Sequence, residues 1–187
     1  MSGTAAIRVM YVGSGLSGRS TSLESVLKVP KLDASSGEHL LDVQVDAQIL
    51  RVSAVVSTYR AWLWYTDPLD PNLDSRVVEE LERLRNVDGF IFVVDTRRER
   101  TDASVEALER LENDLRSRGR SLAEIPVVFQ ANWLDQVGAA SMEWVRSTFR
   151  APRASYVESN AIQGVGTNEA LASIVRLVSA SAGGARA

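Results

Sequence analysis

The run Gly13-Ser14-Gly15-Leu16-Ser17-Gly18-Arg19-Ser20-Thr21 carries glycines at the spacing GxxxxGK[ST], with arginine where lysine usually stands. Such a loop suits an anion. Its glycines let consecutive backbone N–H groups turn inward, and a helix that begins at its end adds a positive dipole. A cation then reaches the outer phosphates and a hydroxyl binds Mg²⁺; here those roles fall to Arg19 and Ser20. The same letters also describe a Gly-rich turn between a strand and a helix with no ligand. Arg19 keeps the positive charge on a longer, planar fork, in a groove shaped for an ammonium. It is able to hold phosphate bidentately, and equally able to fill the pocket or to pair with an acidic side chain.

Two further runs carry chemistry. Asn132-Trp133-Leu134-Asp135 has the NKxD spacing, in which the Asp accepts from the guanine N1–H and exocyclic amine and the Asn braces the loops. Trp133 replaces the lysine, and an indole could stack on a purine instead. A polar loop capped by Asx residues has the same pattern. Glu158-Ser159-Asn160-Ala161 resembles the SAK loop of small GTPases, whose Ala amide contacts the guanine carbonyl. The candidate nucleotide-binding residues are therefore Gly13, Gly15, Ser17, Gly18, Arg19, Ser20, Thr21, Asn132, Trp133, Asp135, Asn160 and Ala161. Ser20 is also the candidate metal ligand, and no catalytic residue is assigned.

Elements must bring these runs together. The segments 7–13 (IRVMYVG), 89–95 (GFIFVVD) and 126–131 (PVVFQA) are short, apolar and β-branched, as buried strands are. Segments 40–45, 50–56 and 153–158 are strand-like, and 59–65 (YRAWLWY) is a further candidate. Helical spacing predicts helices over 20–29, 75–84, 103–118, 142–149 and 169–180, and the prolines of 66–71 predict a loop. Strands alternating with helices imply right-handed crossovers and a mostly parallel central sheet flanked by helices, a three-layer α/β domain over 1–180. The Ser/Ala/Gly-rich residues 181–187 predict a flexible tail. In such a sheet the ligand crevice lies at the carboxyl ends of the strands, where all three runs fall.

Composition narrows the function. With 187 residues the chain suits one domain with a full core, and a net charge of −3 gives no bulk attraction for nucleic acid. The absence of cysteine excludes disulfides and thiol chemistry, and a single histidine, His39, leaves no histidine cluster for a metal. No signal-like or membrane-spanning apolar run is present, which predicts a cytoplasmic protein.

The three loops, in this order, resemble the Ras-like small GTPases, and within them the bacterial MglA family of motility and polarity GTPases. GSGLSGRST is similar to that family's GPGLCGKTT. Residues 87–115 (VDGFIFVVDTRRERTDASVEALERLENDL) resemble VDGxxFVxDSxxxRxxxNxExLxxL, and 125–135 (IPVVFQANWLD) resemble IPxVxQxNKxD. The likeness runs from residue 7 to about 178. It implies a P-loop Ras-like fold, GTP or GDP with Mg²⁺ as ligand, and protein partners such as a roadblock-type regulator.

The departures fall on functional positions. The family's TxPGQ-like switch II corresponds to Thr66-Asp67-Pro68-Leu69-Asp70-Pro71, so Leu69 stands for the Gly facing the γ-phosphate and Asp70 for the Gln orienting water; a one-residue slip would instead align Asp67 with the Mg²⁺-linked Asp. Gly37 and Glu38 stand near the family's Arg-Thr pair. Loss of those groups removes positioning and charge stabilisation, which predicts little or no intrinsic hydrolysis unless a partner supplies them. Three replacements, Arg19, Leu69 and Trp133, also fit a scaffold that binds proteins and no nucleotide. His39 is read as a surface residue, Trp62 and Trp64 as packing under a helix or, if exposed, as a partner surface, Glu79, Glu80, Glu82, Arg83 and Arg85 as the wet side of a helix, and Arg97, Arg98 and Arg100 as solvated charges at a helix start.

Overall fold

The computed structural model describes residues 7–28, 39–45, 48–56 and 84–184. Within them a six-stranded sheet forms from β1 (Ile7–Gly13), β2 (His39–Val45), β3 (Gln48–Val56), β4 (Gly89–Asp95), β5 (Val127–Asn132) and β6 (Ala154–Ser159), in the order β2-β3-β1-β4-β5-β6. β2 pairs antiparallel with β3, and every other pair is parallel. Helices α1 (Arg19–Leu27), α2 (Thr101–Arg116), α3 (Met142–Thr148) and α4 (Thr167–Gly184) connect or flank the parallel strands.

The apolar strands dictate the layering. β4 and β5 are buried along their whole lengths, so neither face can meet water and both must be covered. Side chains alternate across the sheet. Met10, Val12, Phe90, Phe92 and Phe129 face α2 and α3, and pack with Leu108, Leu111, Leu115 and Val145. Val9, Tyr11, Ile91, Val93 and Val128 face α1 and α4, and pack with Leu23, Val26, Leu171, Ile174 and Val175. The result is the expected three-layer α/β arrangement.

Local chemistry sets several ends. Gly18, left-handed at φ 102°, is the N-cap of α1, so the helix starts at Arg19 directly after the glycine loop. Ser141 caps α3, its hydroxyl accepting from the Trp144 amide at 3.2 Å. Helix α4 runs to Gly184, so the backbone of 181–184 is helical where fraying was expected; the Ser181 hydroxyl donates to the Leu177 carbonyl at 2.9 Å. His39 is half-buried at the start of β2, with its Nε2 enclosed. The candidate strand 59–65 with Trp62 and Trp64, the loop 66–71 and most of the helix predicted over 75–84 lie outside the described residues; Leu84 is helical and fully buried. Among the described residues no helix is long and apolar enough to cross a membrane.

An aromatic cluster closes the α2–α3 side. Phe129 lies 5.8 Å from Phe92, 5.7 Å from Phe149 and 5.6 Å from Tyr156, ring centre to ring centre. Replacing Phe129 by Ala is expected to cost about 3–5 kcal/mol of unfolding free energy, measured by urea denaturation. A loss below 1 kcal/mol would contradict the packing described.

Candidate functional site

The sheet order makes neighbours of four strand ends. Gly13 stands opposite Val93 on β4, Asp95 opposite Asn132 on β5, and Asn132 opposite Ser159 on β6. The glycine loop, the residues after Asp95, the Asn132 run and the Ser159 run therefore share one rim, at the carboxyl ends of the strands.

Asn132 joins two of these loops. Its side chain is 1% exposed. Nδ2 donates to the Ser17 carbonyl at 2.8 Å, and Oδ1 accepts from the Ala161 amide at 3.0 Å. The partners settle the amide's orientation, since a carbonyl only accepts and a backbone N–H only donates. Asn132 thus braces the loops as its place in the run predicts. The Ala161 amide, assigned by resemblance to the guanine carbonyl, is donated to Asn132 in this structure. Asp135 is exposed, and one of its carboxylate oxygens accepts from Asn160 Nδ2 at 3.0 Å.

The loop itself is tightly determined at two glycines. A Cβ on Gly13, at φ 144°, would lie 2.4 Å from the Val93 carbonyl oxygen, and one on Gly18 would lie 2.3 Å from Asn132 Nδ2. Gly15 differs, because a Cβ there meets nothing within 4 Å. Ser17 is fully buried and its hydroxyl has no partner, Arg19 is 9% exposed, Thr21 is half-buried and Ser20 is exposed on the first turn of α1. Among the described residues, the amides of Leu16, Gly18 and Ser20 donate to no backbone carbonyl. Amides that give to no backbone carbonyl, beside glycines that admit no side chain, fit a phosphate group.

Two residues dismissed as solvated charges belong to this rim. Arg97 holds the fully buried Asp95 with two bonds, Nε to Oδ1 at 3.0 Å and an amino group to Oδ2 at 2.6 Å. The same amino group donates to the Leu16 carbonyl at 3.2 Å, and the guanidinium lies 4.7 Å over the Trp133 ring. The hydrogen bonds to Asp95 push the Arg97 pKa above its already high ordinary value. Arg100 donates to the Gly15 carbonyl at 2.6 Å, with its Nε 3.8 Å from Asp95, an ion pair without a hydrogen bond. Arg98 is exposed, as expected. Trp133, in the left-handed region at φ 72°, therefore has Arg97 against its ring, and its indole N–H is enclosed without an acceptor.

Gln130, also missed, sits fully buried in the middle of β5. Its Nε2 donates to Ser22 Oγ at 2.8 Å and Ser159 Oγ at 3.1 Å, while those hydroxyls give their protons to the Gly18 and Ala131 carbonyls. A lone amide inside an apolar strand was the available signal, since a buried polar group needs partners. Gly37, Glu38, Leu69 and Asp70 lie outside the described residues.

The glycines separate in a testable way. Gly13→Ala and Gly18→Ala are each expected to lose at least about 2 kcal/mol of stability, from left-handed strain and collision. Gly15→Ala is expected to stay within about 0.5 kcal/mol of wild type in the same urea titration. Equal losses at all three positions would refute the loop geometry.

No family model matches the chain. The Mutual gliding-motility protein MglA of Myxococcus xanthus (strain DK1622) is 27% identical over 180 residues, which cover 91% of this chain and 89% of the relative. With its mostly parallel six-stranded sheet and a glycine loop running straight from β1 into α1, this protein is related to the MglA-type, Ras-like small GTPases.

Proposed function

We propose that this chain is a guanine-nucleotide-binding regulatory protein of the MglA type with little or no intrinsic GTP hydrolysis. One observation carries the binding half: Asn132 ties the Ser17 carbonyl of the glycine loop to the Ala161 amide of the neighbouring loop, so the groups for phosphate and for base stand on one braced rim. In this reading the amides of Leu16 and Gly18 bind phosphate oxygens and the Ser20 hydroxyl takes Mg²⁺, with Arg19 near the outer phosphates. The free oxygen of Asp135 accepts from the guanine edge. When bound, Mg²⁺ supplies charge neutralisation to the phosphates.

The hydrolysis half rests on residue identity. Leu69 and Asp70 replace the Gly and Gln of the family's switch, and Gly37 and Glu38 stand where an Arg-Thr pair is expected. A carboxylate beside the γ-phosphate repels it, and the water-orienting Gln and the charge-stabilising Arg of the family are both replaced. The roadblock-type regulator and a role in motility or polarity follow from the same resemblance, and a soluble cytoplasmic location fits them.

A second reading, a protein-binding scaffold without nucleotide, has its own support. Two base-side residues are already engaged: Asn160 Nδ2 donates to Asp135 at 3.0 Å, and the Arg97 guanidinium lies 4.7 Å over the Trp133 ring.

One assay separates the two. Protein purified in Mg²⁺ and then denatured is expected to release GDP or GTP on anion-exchange chromatography. Loaded with labelled GTP, it should turn over more slowly than about 10⁻⁴ s⁻¹ without a partner. Absence of both co-purified and exchanged nucleotide would leave the scaffold reading standing; turnover at ordinary small-GTPase rates would remove the hydrolysis claim.

A further inference from the structure

Three successive carbonyls of the glycine loop are held by side chains from outside the loop. Arg100 holds Gly15 O at 2.6 Å, Arg97 holds Leu16 O at 3.2 Å, and Asn132 holds Ser17 O at 2.8 Å. A trans peptide is planar, with its C=O and the following N–H pointing in opposite directions, and no peptide in the described chain is cis. Fixing the carbonyls of Gly15, Leu16 and Ser17 therefore fixes the N–H groups that follow them; that of Ser17 turns back to the Ser14 carbonyl at 3.4 Å, and those of Leu16 and Gly18 give to no backbone carbonyl among the described residues. Leu16 sits in the left-handed region at φ 66° with its side chain 78% exposed. Its own packing does not hold that conformation, so the bonds to the flanking carbonyls must.

We infer that Arg97 and Arg100, both set by Asp95, are positioning residues that hold the phosphate loop open as a cup of backbone amides for a nucleoside phosphate. The ligand rests on the nucleotide reading above; the shape of the loop does not. The two arginines act differently. Arg100 supplies a single donor to one carbonyl. Arg97 uses one edge of its fork, Nε and one amino group, for two bonds to Asp95 and a third to Leu16, with its flat face on Trp133. A lysine can replace a single donor but not a fork. The strand ends of β1, β4 and β5 thereby meet at one guanidinium.

The test follows backbone ¹⁵N order parameters of residues 14–18 in nucleotide-free protein, with α2 amides and the thermal midpoint as controls for global folding. In wild type the loop is expected near the rigid value of about 0.85 and in Arg100→Ala below about 0.6, with α2 unchanged. Arg100→Lys should restore the rigid value, and Arg97→Lys should not. Because Arg97→Ala would strand a buried carboxylate, the double variant Asp95→Asn/Arg97→Met removes both charges together and should also loosen the loop. The exposed neighbour Arg98→Ala should change nothing. GDP affinity, by calorimetry in Mg²⁺, is expected to weaken at least tenfold in Arg100→Ala and to recover in Arg100→Lys. Unchanged loop order in both Arg100→Ala and the double variant would overturn the inference. So would a loosened loop that binds GDP as wild type does. A loop that loosens as expected in a protein that never binds GDP would uphold the brace and fell the nucleotide reading instead.

Discussion

A buried primary amide has a donor and an acceptor to satisfy, and Asn132 spends one on each of two loops. The cost of leaving either end unpaired in a 1% exposed position is the full desolvation of that group, so both loops are bound to the end of β5. Gly18 is a consequence: any side chain there would occupy the space of the Asn132 amide. The start of α1, which follows Gly18, inherits its place from the same contact. Around it the parallel register sets Asp95 and Ser159 level with Asn132, so the strand ends form a row rather than a scatter of loops.

Two further buried polar groups of the rim, Asp95 and the Gln130 amino group, are paired in the same way, while Gln130 Oε1, the Ser17 hydroxyl and the Trp133 indole N–H have no partner. Asp95 is fully buried and would be ruinous alone; Arg97 neutralises it with two bonds and remains able to reach Leu16. Gln130 links the hydroxyls at Ser22 and Ser159, which pass their protons to Gly18 and Ala131. In this chain Trp133 leaves the base loop without the cation its run usually carries. Among the described residues, Arg97 and Arg100 reach the phosphate loop from the turn after β4. The base-side groups are meanwhile partly engaged with one another, which is the physical basis for keeping a nucleotide-free scaffold as the competing reading.

Much of this was legible in advance, unevenly. β4 is continuously apolar and ends at the first charged residue, so its bounds follow from composition alone, and β1 likewise stops at its glycine. Helix ends shifted by one or two residues where capping decided them: α1 begins one residue early because Gly18 adopts a left-handed N-cap. Helix α4 continues to Gly184 through small residues that the composition had marked as tail. Arg97 and Arg100 were misjudged because interleaved charges at a helix start have no periodicity that separates a solvated arginine from one turned toward a distant loop.

By itself the amino-acid order determined the strands, their alternation with helices, and the residue types placed at each strand end. Those depend on local burial and on neighbours within a few positions. Only the tertiary structure decided which of those residues meet. Arg97 and Leu16 are 81 positions apart, and Asn132 and Ser17 are 115 apart. Such pairs come together through sheet order and register, a property of the whole packed chain that no local stretch encodes.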